Sequence, residues 1–328
     1  MNLRASPNNR VADFDLSSLA DACCNRLNDE LERNGTIESP IPMPIHRIDC
    51  EANGVVTIWI QVPSILSSIY KPGQYFMCWN PYDAEGGISR SNYNSEKPYS
   101  VGDVKIDRSE IDEVTEADIG DSGRTLFGFT IKDLGRQSGE LTRLNRGDWF
   151  AIRGPYGTHF PTPSSGDNLL LISGGIGSTP MHMAARDARQ KLGDRVSIHA
   201  IMGFQTKVDV HFEDRMESLC DSLTITTDDG TQGIKGFPTL PLSELLENID
   251  PNKTQLFTCG PEQMMKNVLK MSVEHGIECY AAMERYLPCS VAVCGLCMVG
   301  DRLTCRDGPL MEGDWLLQQD DFATHHHH

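Results

Sequence analysis

Asn168-Leu-Leu-Leu-Ile-Ser173-Gly174-Gly175-Ile176-Gly177-Ser178-Thr179-Pro180 decides the architecture of the C-terminal half of this 328-residue chain. The short unbroken apolar run is the mark of a central parallel strand, covered on both faces. It feeds a glycine-rich turn and then a helix-like stretch over 181–191. Further strands are expected at 196–202, 223–227 and 255–259, with helical segments near 213–219, 242–248 and 262–275. That alternation predicts a doubly wound α/β domain, placed here at residues 164–277.

Upstream, the rhythm is different. Val55-Val-Thr-Ile-Trp-Ile-Gln-Val62, Gln74-Tyr-Phe-Met-Cys-Trp79, Pro98-Tyr-Ser-Val101, Leu126-Phe-Gly-Phe-Thr-Ile131 and Trp149-Phe-Ala-Ile152 are short and rich in strand formers, with turn signals between them. They predict an antiparallel β-barrel over 43–163. Two polar insertions interrupt it. Residues 83–96 are rich in Gly, Ser and Asn, and residues 102–123 hold eight acids against two bases, the composition of a solvated arm. Residues 1–42 form an N-terminal extension. Within it Leu16, Leu19, Cys23, Leu27 and Leu31 fall at helical spacing behind Asp15, a suitable N-cap, and this helix packs on the body or on a partner.

Downstream, Cys289-Ser-Val-Ala-Val-Cys294-Gly-Leu-Cys297 and Cys305 stand at C-x4-C-x2-C-x7-C. This is the plant-type spacing of a [2Fe-2S] cluster: three thiolates within nine residues curl over a two-iron rhomb and a fourth arrives from the next turn. Gly295 lets backbone N–H groups approach the cluster sulfurs. A four-cysteine zinc site is the competing reading, but it more usually shows two C-x2-C pairs. The module, residues 278–324, has little core of its own, so metal binding and folding are coupled there. His325 to His328 look like an expression tag.

Composition narrows the classes. A net charge of 29 − 46 = −17 argues against nucleic-acid binding. No run approaches 18 apolar residues, which excludes a membrane-spanning helix, and the first 25 residues lack the apolar stretch of a signal peptide. A cytoplasmic protein is expected, with its eleven cysteines as thiols or ligands rather than disulfides.

Strand, Gly174-Gly-Ile-Gly177 and helix together suit a phosphate cradle, since glycines admit a pyrophosphate and the helix N-terminus offers donors. Such a turn is also often only a turn. Thr258-Cys259-Gly260-Pro261-Glu262 closes a later strand at the edge where a nicotinamide would lie; taken alone, Cys259 reads equally as a small buried residue. Lys97-Pro98-Tyr99-Ser100 offers a cation, a ring and a hydroxyl for a flavin, or ordinary strand residues. Gly135-Arg-Gln-Ser138 suggests a second anion-binding turn, or a capped helix start.

These motifs, with Gly154-Pro-Tyr-Gly157, Thr226-Thr-Asp-Asp-Gly-Thr-Gln-Gly-Ile-Lys-Gly236 and Cys305-Arg-Asp-Gly-Pro309, resemble the ferredoxin-reductase superfamily. More narrowly, residues 44–315 are similar to the electron transfer subunits of dihydroorotate dehydrogenases. The resemblance implies an oxidoreductase subunit that binds FAD, a [2Fe-2S] cluster and NAD. It also implies pairing, as a heterotetramer, with an FMN-containing catalytic subunit that oxidises dihydroorotate in pyrimidine biosynthesis. Lys97, Pro98, Tyr99 and Ser100 would hold the flavin, Gly135 and Ser138 a second phosphate turn, and Gly175 and Gly177 the NAD pyrophosphate. Cys259 would stand catalytically at the nicotinamide, and Cys289, Cys294, Cys297 and Cys305 would ligate iron. Lys97 departs from the more common Arg and is a point charge without a bidentate fork. Gln137 stands where Gly is common, and the gap before Cys305 is short. The competing function is a flavin and iron–sulfur NAD(P)H oxidoreductase subunit of a hydrogenase or ferredoxin-linked complex. A non-enzymatic redox sensor or zinc-stabilised scaffold is the reading from another class.

Overall fold

The computed structural model describes residues 16–81, 96–106, 124–164 and 166–324. Almost all of the first polar insertion, the acidic run from 107 to 123, Asp15 and the histidine run lie outside these residues. The chain divides into two compact units, the second beginning in the main at Gly157.

The first unit is a closed six-stranded barrel, as the short strands predict. β1 (Ile37–Ala52), β2 (Val55–Pro63), β3 (Tyr75–Trp79), β4 (Lys97–Ile106), β5 (Arg124–Lys132) and β6 (Trp149–Tyr156) close in the order β1-β2-β5-β4-β3-β6. Its core is aromatic. Phe76, Phe127, Phe129 and Phe150 are fully buried, and the Phe76 and Phe129 rings meet edge to face at 5.5 Å. β1 starts at Ile37, inside the stretch read as an extension. Pro40, Pro42 and Pro44 disguised it, yet they are tolerated because they alternate. Ile45 N–H bonds toward β6 through Asp148 O, so the prolines, one residue out of phase, lack only donors that point away from β6. Residues 102–106 likewise belong to β4, not to a solvated arm. The helix α1 (Leu16–Asn34) packs on this unit: Ala20, Cys24, Leu27 and Leu31 are buried, and Cys24 Sγ reaches Gln61 O. Cys23, expected on that face, is half-buried beside it. Short helices α2 (Ser64–Ile69) and α3 (Arg136–Thr142) complete the unit.

The second unit is the doubly wound sheet. Its strands are β7 (Asn168–Gly174), β8 (Ser197–Phe204), β9 (Ser222–Thr227), β10 (Ile234–Lys235), β11 (Thr254–Cys259), β12 (Glu278–Ala282) and β15 (Leu310–Glu312), in the order β10-β9-β8-β7-β11-β12-β15. A hairpin of β13 (Met298–Val299) and β14 (Arg302–Leu303) pairs with none of these strands, though Val299 is buried in the core on one face of the sheet. β7 is covered on both faces, as its apolar run requires. Leu169 and Leu171 join α4 (Ser178–Leu192) and α5 (Glu213–Glu217) in one core cluster. Leu170 and Ile172 join α6 (Thr239–Leu246), α7 (Glu262–Glu274) and α9 (Gly313–Leu316) in the other. The cysteine module placed at residues 278–324 is not a separate body. β12 pairs parallel with β11, and β15 closes the edge antiparallel to β12. The thiol loop and hairpin, with the four-residue helix α8 (Thr304–Asp307), are therefore an insertion between two strands of this sheet. Among the described residues no helix is long and apolar enough to cross a membrane.

Candidate functional site

Chain order reverses at β7, whose neighbours are β8 on one side and β11 on the other. Ligands bind such sheets outside the strand ends at this reversal. The register sets Cys259 of β11 opposite Ser173 of β7, so the two sequence motifs meet there. They meet closely: a Cβ on Gly177 would lie 2.2 Å from the Cys259 carbonyl oxygen. Gly177 is thus occupied in packing one turn on the other. Gly175, at φ +54 with open space where a side chain would stand, leaves the cradle uncovered. Around it, the hydroxyls of Ser173, Thr179, Thr226 and Thr258 are buried without hydrogen-bond partners. Such groups are costly unless satisfied, which makes these strand ends polar ground suited to a polar ligand. Ser178, at the start of α4, instead shares a 2.8 Å hydrogen bond with His211 Nε2.

The Cys259 thiol is 2% exposed; burial, then the nearby Glu284 carboxylate, push it well above its ordinary value. It is a neutral side chain, not a poised nucleophile. Glu284 was missed at the sequence level because it lies twenty-five residues further on and only β12 pairing returns it to this strand end. Beyond β9, Thr231 donates twice to Asp229, at 2.9 and 2.7 Å, and accepts from Lys207 N–H at 2.8 Å, while the Lys207 side chain is exposed.

The thiol loop is built by its backbone. Ser290, Ala292 and Gly295 all have positive φ, at 57°, 59° and 72°. For two residues with side chains this is unusual, and it turns successive N–H groups inward. Burial pushes the Cys289 thiol up, but the N–H groups of Val291, Cys294 and Val293 and the Cys294 side chain outweigh it and hold it at about 7. Burial and a hydrogen bond with Cys297 push Cys305 up to about 12, against the N–H of Ala292, and Cys289 is near enough to be felt. The thiols thus converge as two linked pairs, 289 with 294 and 297 with 305. Among the described residues no three His, Cys, Asp or Glu side chains close on a point as around a single ion. Two thiols per metal and inward N–H donors to sulfur are what a two-iron cluster asks of its loop, so the residues fit it. Thr304 ties the loop: its N–H and Oγ1 both donate to the Cys297 carbonyl, at 3.1 and 2.8 Å.

In the barrel, Lys97 to Ser100 open β4 against β3, with Cys78 opposite Lys97 and Phe76 opposite Tyr99. All four are half-buried, and burial lowers the Lys97 ammonium. Just before them stands a pair that the sequence concealed in a polar insertion. Glu96 and Arg153 are buried at 2.6 Å, and Arg153 also donates to the Tyr156 hydroxyl at 3.1 Å. The Arg153 charge is matched within this pair by the Glu96 carboxylate. The second turn is less open. Ser138 Oγ accepts Leu134 N–H at 2.9 Å and donates to Gly135 O, so its hydroxyl is engaged by the turn's own backbone, and the Asp133 carboxylate lies beside Gly139.

Comparison with known proteins agrees with this geometry. Residues 171–270 match the family of oxidoreductase NAD-binding domains. The probable dihydroorotate dehydrogenase B (NAD(+)) electron transfer subunit of Methanocella arvoryzae is 35% identical, over 86% of this chain and 93% of its own length. That of Pyrococcus furiosus is 35% identical over 76% of this chain and 82% of its own. The chain belongs to the family of dihydroorotate dehydrogenase B electron transfer subunits. Among solved structures, an NADH-dependent reduced ferredoxin-NADP oxidoreductase aligns at TM-score 0.65, with 24% identity over 85% of this chain and 89% of that one. A Neisseria gonorrhoeae ferredoxin NADP+ reductase with bound FAD and NADP aligns at 0.52, with 17% identity over 76% and 95%. Both carry the barrel and the α/β sheet of this family member.

Proposed function

We propose that this chain is the electron transfer subunit of an NAD-linked dihydroorotate dehydrogenase, carrying electrons from a partner's flavin to NAD+ in pyrimidine biosynthesis. Bound FAD and a [2Fe-2S] cluster supply the exchange between one-electron and two-electron chemistry. The observation that carries the reading is the thiol loop, with its inward N–H groups, inserted into the same sheet that presents the glycine turn and Cys259. Cys289, Cys294, Cys297 and Cys305 hold the iron. Gly175 leaves the pyrophosphate its place, Gly177 keeps that turn against Cys259, and Cys259 flanks the nicotinamide as an uncharged surface. Lys97 with Tyr99 and Ser100 hold the flavin, Pro98 stiffening the strand between them. Gly135 and Ser138 form its secondary phosphate turn.

Asp228 and Asp229 follow β9 in the loop tied to Lys207. Two carboxylates there would repel a 2′-phosphate, which favours NAD over NADP. The partner is an FMN-bearing dihydroorotate-oxidising subunit, assembled as a heterotetramer. Its docking is supported by the exposed apolar side chains of the thiol loop, Val291, Val293 and Leu296, which are 54%, 82% and 62% exposed. None of the eleven cysteines is in a disulfide, which fits a reducing cytoplasm.

The test is anaerobic purification with whatever co-elutes, followed by metal analysis and titration with NADH. Expected are about two iron atoms per chain, a flavin that NADH bleaches, and a dihydroorotate-oxidising chain in the same fractions. Zinc in place of iron, or a co-eluting hydrogenase chain, overturns the assignment.

A further inference from the structure

Beyond the thiol hairpin, the chain returns and locks. Phe322 is fully buried in the core beneath α7. Ala323 adopts φ +58, a conformation that a residue with a Cβ holds only where its surroundings impose it. Its N–H donates to Glu262 Oε2 at 2.8 Å, and Lys266 Nζ donates to the Phe322 carbonyl at 3.1 Å. Glu262 opens α7 immediately after Cys259-Gly260-Pro261. Its other oxygen lies 3.2 Å from Arg285 Nε, with both side chains only 5% exposed. Arg285 in turn donates to the Asp321 carbonyl at 3.1 Å. A buried pair of this kind resists separation, because either partner left alone is an uncompensated charge.

The same short segment reaches the other way. The Asp321 carboxylate accepts the Gly300 N–H at 3.1 and 3.2 Å, and the Gln319 side chain lies against Gly300. Gly300 is in the turn between β13 and β14, three residues after Cys297 and five before Cys305. The segment thus bridges the strand end that carries Cys259 and the hairpin that carries two of the thiols.

We propose that residues 319–323 are a clasp that positions the thiol hairpin on the nucleotide-binding sheet, with the Glu262–Arg285 pair as its anchor and Asp321 as its catch. The hairpin's two strands, two residues each, pair only with one another. Val299 is buried in the same core as Phe322, and Arg302 pairs with Glu312 and lies 4.1 Å over the Trp315 ring, so the clasp adds the hold at the turn itself. The consequence for electron transfer rests on the function proposed above. The mechanical claim does not.

Asp321→Ala, in the full chain, removes the catch from a half-exposed position and leaves the anchor intact. Hydrogen exchange at the amides of Val299 and Thr304 should speed by about tenfold, while those of β7 stay within about twofold. In iron-loaded protein, loss of the cluster's visible absorbance under a chelator should accelerate by about fivefold. Bleaching of the flavin by NADH should stay within about twofold of wild type. Arg285→Met, which removes the cation from beside the buried Glu262 carboxylate, should loosen the same amides. Unchanged hairpin exchange in Asp321→Ala overturns the clasp, and so does exchange that rises equally across the whole sheet. A preparation lacking iron and flavin would sink the electron-transfer reading instead, and the exchange contrast would still decide the clasp.

Discussion

Two cysteines of the second unit, Cys289 and Cys259, have the same side chain and opposite chemistry. Cys289 sits in a loop whose positive-φ residues aim several N–H groups at its sulfur, and it is held at about 7. Cys259 ends a central strand, 2% exposed, and burial with Glu284 nearby drives it up. The first is prepared to be a thiolate, as the proposed ligand role requires; the second stays a small neutral wall. The difference teaches that backbone direction, not residue identity, assigns these thiols their work.

The sharpest way to break that contrast is Cys297→Ser. It removes one ligand of a loop with no core of its own, and iron should fall from about two atoms per chain to near zero while flavin is retained. Metal analysis reads it directly; full iron retention would end the ligand assignment.

Next come the glycines of the other site. Gly177→Ala forces a Cβ against the Cys259 carbonyl at 2.2 Å and should cost about 3 kcal/mol, with a raised KM for NADH. Gly175→Ala meets open space and only the strain of φ +54, so about 1 kcal/mol is expected. Thermal melts that rank the two equally would mean that the turns do not pack as described.

A pH titration sharpens the comparison with smaller effects. In iron-free protein, alkylation of Cys289 should rise through pH of about 7, whereas Cys259 should stay silent. The sign for stability follows. The folded value lies below the ordinary 9.0, so the thiolate's contribution to the loop is full above that pH and is lost as pH falls through about 7. Peptide mapping of the alkylated chain distinguishes the two sites.

Val293→Asp should do least to the fold. At 82% exposure its effect on stability should stay within about 0.5 kcal/mol, yet co-elution with the partner should weaken by about tenfold. Undiminished co-elution would remove the thiol loop from the docking surface.

Much of this was legible because it is periodic or locally spaced. The apolar run at 169–172, the turn at 174–177 and the spacing of four cysteines are each contained within a few residues. The proline-bearing start of β1 was hidden because its periodicity of prolines looks like loop. Only the absence of needed donors on one side explains why it pairs. Glu96 was hidden inside a polar stretch, since nothing local says that a carboxylate will be buried against Arg153. The boundary at 278 misread a parallel strand and an edge strand as part of an independent module, because β12 and β15 find each other across the whole insertion.

The sequence by itself determined the two kinds of sheet, the glycine turn and the spacing of the four cysteines, because hydrophobic period and short-range spacing act along the chain. Only the tertiary structure decided which glycine is packed and which is open, that Glu284 stands by Cys259, and that a distant segment grips the thiol hairpin. Those facts depend on strand order and on buried charge finding its partner, and neither has a signature in neighbouring residues.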